Sequence, residues 1–284
     1  MKNDFKKGLL EMLGATFIWG STPIMSIFSN LPSGVFVFFR VLFAFPFIFY
    51  FALKHNTLNE FFKLKPFWPL FSSGLMLGVN WVFFFLAFNY ADVASVVCVY
   101  YVGPVVSVIL AVLFLKEKMN LFILISIILA LSGVFVTNGG IVFSKGIFFA
   151  VLAAVSYGLL GFFSKIATIH HKASVVTAWQ ILISIFITLP FLFFNEWDLS
   201  FKSFLIALIT GVVHTAFALF LWYDALNYIK VSLASVLQYL DIVFAMILAF
   251  LFLHQIPSLN QIIGAVLIIV AGVIGSFKEK QSKK

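Results

Sequence analysis

The chain has 284 residues, 63% of them hydrophobic and only 10% charged, with a mean hydropathy of +1.14. Soluble domains carry roughly 25% charged residues, so this composition cannot clothe a water-facing surface and describes an integral membrane protein without separate soluble domains. The formal net charge of +8 would suit nucleic acid in a soluble protein, but the placement of the lysines gives it another meaning here.

The first stretch, Lys2, Lys6 and Lys7 followed by an apolar run from Gly8 to Phe28, has the charge order of a secretory signal peptide. The run is too long for one, and no A-x-A-like cleavage pattern follows, so it is expected to remain as a first helix. Ten runs of roughly 20 residues can be marked, at 8–28, 34–54, 66–89, 92–115, 119–138, 146–168, 173–194, 201–224, 230–253 and 258–277. They exceed the roughly 9–11 residues of a barrel strand, and helices satisfy their own backbone groups in lipid. The expected fold is therefore an all-α bundle of ten transmembrane helices. The single Cys98 lies mid-run, where no internal disulfide can form and a buried, unreactive thiol is expected.

With the N-terminus inside, the inner side collects Lys2, Lys6, Lys7, Lys54, Lys63, Lys65, Lys116, Lys118, Lys165, Lys172, Lys230 and the four lysines beyond Phe277. Only Lys145 and Lys202 fall outside, and Arg40 lies within a span. This is the positive-inside pattern of a multi-pass protein with both termini cytoplasmic, in the inner or plasma membrane.

The chain also repeats itself. The segment from Ala91 to Val134 returns about 138 residues later, ending at Val273. Trp19-Gly20 falls on Tyr157-Gly158, Asn89-Tyr90 on Asn227-Tyr228, and Phe114-Leu115 on Phe252-Leu253. The halves divide as 1–140 and 141–284. Five spans per half is an odd number, so the second copy enters the membrane upside down. Inverted repeats are the architecture of alternating access, with a site near the midplane.

The W-G of the first span, Arg40 in the second, and Pro104, Leu115-Lys116-Glu117 and Gly133 in the fourth and fifth resemble the EamA branch of the drug/metabolite transporter superfamily, over essentially the whole chain. The resemblance implies a ten-helix inverted-repeat carrier, commonly an exporter of amino acids or other small metabolites across the inner membrane. One departure stands out: His254-Gln255 follows the ninth span where Glu117 follows the fourth.

Among candidate site residues, Asp241 comes first, because an ionised carboxylate at the centre of a span costs about 2.5–3.5 kcal/mol on insertion scales. It is a candidate proton-coupling group or counter-charge for a substrate amine; the structural alternative is an ion pair with Arg40 or His214. Gln238 shares its helix face. Arg40 could attract a substrate carboxylate or hold helix-end carbonyls. His214 and Asn80 are polar groups in spans and are expected to face the interior. Trp19, Tyr100, Tyr101 and Tyr157 are mid-span aromatics suited to a cavity that takes organic cations, or to simple packing. Tyr101 is expected to stand opposite Asp241. Tyr50, Tyr90 and Trp197 read as interfacial belts. Gly20 with Pro23, and Gly103-Pro104, read as kinks or close-packing points. Glu11, Asp224 and Glu117 read as interfacial ion-pair residues, and His170-His171 as solvated loop residues.

No metal cluster, cofactor motif, H-E-x-x-H, G-x-S-x-G or Walker sequence occurs, so an enzyme or ATP-driven pump is not expected. The leading expectation is a secondary carrier for a small polar or cationic metabolite, with protons as coupling ion, acting as a monomer or homodimer in the lipid bilayer. An uncoupled facilitator and, more remotely, a membrane sensor or receptor are the alternatives. A sugar-phosphate exchanger would call for midplane cations, where this chain offers an acid.

Overall fold

Backbone groups in an apolar solvent must pair within their own segment, and the chain answers with helices from end to end. The structure, a computed structural model, describes residues 2–55, 61–62, 64–88, 90–91, 96, 99–117, 119, 121–138, 144–194, 196–254 and 256–282; Cys98 lies outside these. The helices are α1 Lys2–Gly20, α2 Thr22–Ser29, α3 Ser33–His55, α4 Trp68–Phe88, α5 Gly103–Phe114, α6 Leu121–Asn138, α7 Lys145–His170, α8 Ala173–Thr188, the short α9 Phe191–Phe194, α10 Phe201–Ala225, α11 Val231–Gln238, α12 Leu240–Leu253 and α13 Leu259–Ser282. No strand occurs among the described residues.

Six stretches are long and apolar enough to cross a membrane: Gly34–Lys54, Trp68–Ala87, Lys145–His170, Ala173–Phe194, Phe201–Ala225 and Val231–Phe252. Gly103–Phe114, Leu121–Val136 and Leu259–Ile274 are shorter apolar helices. The chain is a multi-pass membrane protein, but its spans are less regular than ten uninterrupted runs. The first breaks at Ser21, whose N–H and Oγ both donate to the Ile18 carbonyl at 3.1 and 2.7 Å. Such local bonding competes with the helical ladder, and Pro23 has no N–H with which to resume it. The eighth widens in mid-membrane into a π-helical stretch, Thr210–Phe217.

The fourth and ninth spans loosen at matching places. Val102 N–H donates to Val99 O at 3.0 Å and Val105 N–H to Val102 O at 3.0 Å; Tyr239 N–H donates to Val236 O at 3.4 Å and Ile242 N–H to Tyr239 O at 3.2 Å. These are the tighter i to i+3 bonds of a 3₁₀ turn. In the first case Pro104 explains the break, since it stands in the opening turn of α5, where a missing N–H costs nothing.

Packing puts small residues inside and many, though not all, of the phenylalanines outside. Ala15, Ala44, Ala111, Ala130, Ala150, Ala153 and Ala178 are fully buried, while Phe47, Phe186, Phe193, Phe194 and Phe201 stand exposed. In lipid the apolar tails exert no pull between helices, so close backbone approach through small residues holds them together. A Cβ at Gly133 in α6 would come within 2.7 Å of the Gly264 carbonyl in α13. α4 lies along α7, α1 along the second half of α10 and α12, α5 along α7 and α11, α6 along α13, and α3 against both α8 and the π-helical stretch; α8 also lies on α4.

One end of the bundle is tied by polar contacts. Lys7 Nζ reaches Asp224 at 2.9 Å, Tyr228 Oη at 2.8 Å and Glu11 at 3.4 Å. The Tyr228 hydroxyl and then the Asp224 carboxylate hold this ammonium above the ordinary lysine range. Lys165 donates to the Leu226 carbonyl. Glu117 departs from the expected ion pair. Its carboxylate accepts from Val231 N–H at 3.1 Å, Ser232 N–H at 3.4 Å and Ser232 Oγ at 3.1 Å, and so caps the N-terminus of α11. Orphan N–H groups and the positive helix end both favour a carboxylate there. His171 is likewise not solvated: it is buried, with Nε2 3.0 Å from the Pro66 carbonyl.

Replacing Glu117 by alanine is expected to lower unfolding stability by about 1–2 kcal/mol, the range of a lost helix cap. Detergent-titrated unfolding should read the loss, with Glu117→Gln retaining part of it.

Candidate functional site in the bundle centre

The 3₁₀ turns at Tyr101 and Tyr239 lie where α5 packs along α11, and they bring Tyr101 onto Asp241 at the start of α12. Tyr101 Oη donates to Asp241 Oδ1 at 2.9 Å, and Gln238 Nε2 donates to Oδ2 at 3.3 Å. Tyr239 Oη donates to the Tyr101 carbonyl at 2.7 Å, closing a ring of tyrosine contacts across the two turns. Among the described residues Asp241 makes no ion pair, so the expected structural pairing with Arg40 or His214 is not formed. Tyr101 does meet Asp241, although at the 138-residue offset its sequence counterpart is Tyr239 and that of Asp241 is Gly103. Gly20 lets α1 reach the same place: a Cβ there would lie 2.8 Å from the Asp241 carbonyl and 2.7 Å from Phe244 Cβ.

Beside this carboxylate stands an aromatic wall. Tyr100 and Tyr157 stack with centroids 4.9 Å apart and planes at 7°. Tyr100 Oη donates to Asn80 Oδ1 at 3.2 Å, and Asn80 Nδ2 donates to the Ala153 carbonyl at 2.9 Å. Asn80 is therefore buried and satisfied on both ends of its amide, linking α4 to α7 while holding Tyr100 in place.

Arg40, His214 and Trp19 form a second cluster, organised by the π-helical stretch. A wider turn displaces carbonyls from their usual i+4 donors, and the His214 carbonyl accepts from Trp19 Nε1 at 2.9 Å and from Arg40 Nη2 at 3.5 Å. Arg40 Nε donates to Thr215 Oγ1 at 2.8 Å, and the guanidinium lies 5.5 Å from the Trp81 ring centroid, within reach of a cation–π contact. His214 is 4% exposed, with Nε2 2.7 Å from Ser21 Oγ; its Nδ1 has no partner among the described residues. Gly211 allows this crossing, since a Cβ there would sit 2.6 Å from the Arg40 carbonyl. Arg40 thus ties the second span to the eighth, as a group that satisfies carbonyls.

The candidates accordingly fall into two groups: Asp241, Gln238, Tyr101, Tyr100, Tyr157 and Asn80 converge, while Arg40, His214 and Trp19 brace the π-helical stretch. Sequence reasoning did not pick out Trp222, Ser107 or Ser235. With Gln238, Tyr157, Pro104 and Gly161 they line a small cavity beside the carboxylate cluster. Serines spaced through an apolar run are weak signals, since most bond a carbonyl of their own helix. No group of residues able to hold a metal ion occurs among the described residues.

The profile of the EamA-like transporter family matches residues 6–139 and again residues 144–277. The chain belongs to the EamA-like transporter family. Its relatives agree: the "Uncharacterized transporter YxxF" of Bacillus subtilis is 29% identical over 285 residues, covering 97% of this chain and 91% of its own. "Protein RarD" of Escherichia coli is 24% identical over 287 residues, covering 94% and 92%. A solved structure titled "Crystal structure of protein" superimposes with a TM-score of 0.85 at 18% identity, covering 98% of this EamA chain and 99% of that one, and shows the shared fold. The protein is a membrane transporter.

The two groups separate experimentally. Arg40→Met is expected to lower unfolding stability by roughly 1.5–3 kcal/mol, the worth of hydrogen bonds from a charged donor, in a thermal or detergent unfolding series. Tyr101→Phe keeps the ring but removes a donor to a carboxylate, a loss in the same range of about 1.5–3 kcal/mol, and is set apart from Arg40→Met by an altered pH dependence of flux.

Proposed function

We propose that this transporter is a proton-coupled secondary carrier, exporting a small polar or cationic metabolite such as an amino acid or related amine by alternating access. The observation that carries the reading is a mid-membrane carboxylate held only by neutral donors. With no cationic side chain paired to it among the described residues, Asp241 has two ways to lose its charge: to take a proton, or to take a cationic group from a substrate. Competition between the two for one site is the simplest form of exchange. The stacked Tyr100 and Tyr157 rings offer π faces near that carboxylate, which suits a substrate ammonium.

The two halves are read as inverted repeats, divided near residue 140. The packing supports this. Exchanging the halves turns the α4–α7 contact into the α10–α1 contact, α5–α7 into α12–α1, and α3–α10 into α8–α4, while α3–α8, α5–α11 and α6–α13 map onto themselves. Lys116 and His254, 138 residues apart, both take left-handed backbone with φ of 54° and 53°. Left-handed backbone in residues other than glycine is costly, and its recurrence at one offset fits duplication. The end tied by Lys7, Lys165 and Glu117 is read as cytoplasmic, with both termini on the cytoplasmic side of the inner membrane.

Proteoliposomes carrying a pH-sensitive dye, challenged with gradients of amino acids, polyamines and organic cations, test the coupling. The wild type is expected to move protons against at least one of these solutes, and Asp241→Asn to lose that movement by about tenfold or more, as expected where the coupling group itself is removed. Unchanged flux and pH profile in the folded variant would reduce the protein to an uncoupled facilitator.

A further inference from the structure

Two buried polar atoms beside the carboxylate cluster lack partners, and they complement each other. Among the described residues, the indole N–H of Trp222, 7% exposed, has no acceptor, and Oε1 of Gln238, 3% exposed, has no donor. Both residues line the same cavity, with the hydroxyl-bearing Ser107 and Ser235 and with Pro104, Tyr157 and Gly161. The cavity leaves about 10 Å³ for the centre of a water molecule, close to what one water needs. Gly161 keeps this space open, because a Cβ there would lie 2.2 Å from Ser107 Oγ. An unpaired buried donor and an unpaired buried acceptor each cost about 1–3 kcal/mol, and a water that accepts from one and donates to the other relieves both.

We propose that this cavity is a binding site for an ordered water, bridging Trp222 Nε1–H and Gln238 Oε1 and acting as a positioning element for Asp241. The role given to Asp241 rests on the function proposed above; the water site itself does not. Gln238 has one amide with two ends. Its NH₂ faces Asp241 Oδ2 at 3.3 Å, the orientation that suits an ionised carboxylate. A water donating to Oε1 holds the amide that way and polarises its N–H toward the acid, since hydrogen bonds in a chain strengthen one another. When the acid carries a proton, the opposite orientation is favoured: Oε1 accepts from the carboxyl O–H, and the NH₂ turns to the cavity. Water accepts as readily as it donates, so it serves both orientations, which an apolar filler or a fixed donor would not. The cavity thereby lets Gln238 follow the state of Asp241 without leaving an unpaired group in either state.

The site is also asymmetric. Ser107, Gly161, Trp222 and Ser235 lie on the side of Asp241 toward the Glu117–Ser232 cap and the Lys165–Leu226 contact. Tyr101, with the tyrosine ring contacts around it, covers the opposite side. The ordered water therefore sits between the carboxylate and the lysine-rich end of the bundle.

Purified full-length protein, labelled with ¹⁵N-tryptophan and reconstituted in nanodiscs, tests this directly. Trp222→Phe assigns the Trp222 indole signal by its disappearance. In the wild type that signal is expected to show a magnetisation-transfer cross-peak to water, and the cross-peak is expected to be lost in Ser107→Val, which fills the cavity while leaving the indole in place. A Trp222 indole with no water cross-peak, exchanging into deuterium as slowly as the backbone amides of α10, would overturn the proposal. So would a cross-peak that survives unchanged in folded Ser107→Val. Should Ser107→Val fail to fold, Ser235→Ala replaces it: enlarging the cavity is expected to keep the cross-peak and strengthen it, and its disappearance would count against the site. These readouts need no transport, so their failure is separate from failure of the coupling assigned to Asp241.

Discussion

A carboxylate set within an apolar membrane-spanning stretch, with no ion pair among the described residues, is the constraint on which the rest of the arrangement depends. Such a group is tolerated only where neutral donors replace its water. Two side chains do so, and both reach it because helices that lipid would otherwise keep regular are broken at the right places. The 3₁₀ turn at Tyr101 aims one hydroxyl at Asp241, and the turn at Tyr239 braces Tyr101 from behind.

The positive charge of the interior is handled in the opposite manner. Arg40 is surrounded by neutral acceptors, the Thr215 hydroxyl and the carbonyl of His214. The π-helical stretch of α10 makes these available, and the arginine in turn stabilises a wide turn that would otherwise strand carbonyls in an apolar medium. Cation and anion thus each receive a private set of neutral partners. A buried ion pair between them would have traded this for mutual neutralisation.

Much of the architecture was legible in the residues. Long apolar runs gave the spans, lysine placement gave a candidate orientation, and the return of Trp19-Gly20 as Tyr157-Gly158 gave the duplication. Asp241 stood out because charge is rare in such runs, and Gln238, Tyr101, Tyr100 and Asn80 do gather near it. The helix breaks were only half visible. Pro104 and Pro23 announce two of them, but nothing in Leu237-Gln238-Tyr239-Leu240 announces the third, which depends on packing against the other half. The π-helical stretch is equally silent, since Thr210, Gly211 and Thr215 are common in membrane helices. Glu117 was misread because an acidic residue near a lysine-rich end suggests an ion pair. Only the fold brings the N-terminus of α11 to it.

The close seam between α6 and α13 has a genetic corollary. Gly133 meets Gly264 and Ile268, residues encoded far apart but pressed together backbone to backbone. Damage from a bulkier residue at 133 has no remedy among its neighbours along the chain, because the obstruction lies in the other half. A revertant screen would therefore draw second-site changes from the distant partner, ones that let the α13 backbone at Gly264 move back as well as relieve Ile268. Each copy of the duplicated segment has in this sense become the mould for its sibling, and the two halves are no longer free to drift independently.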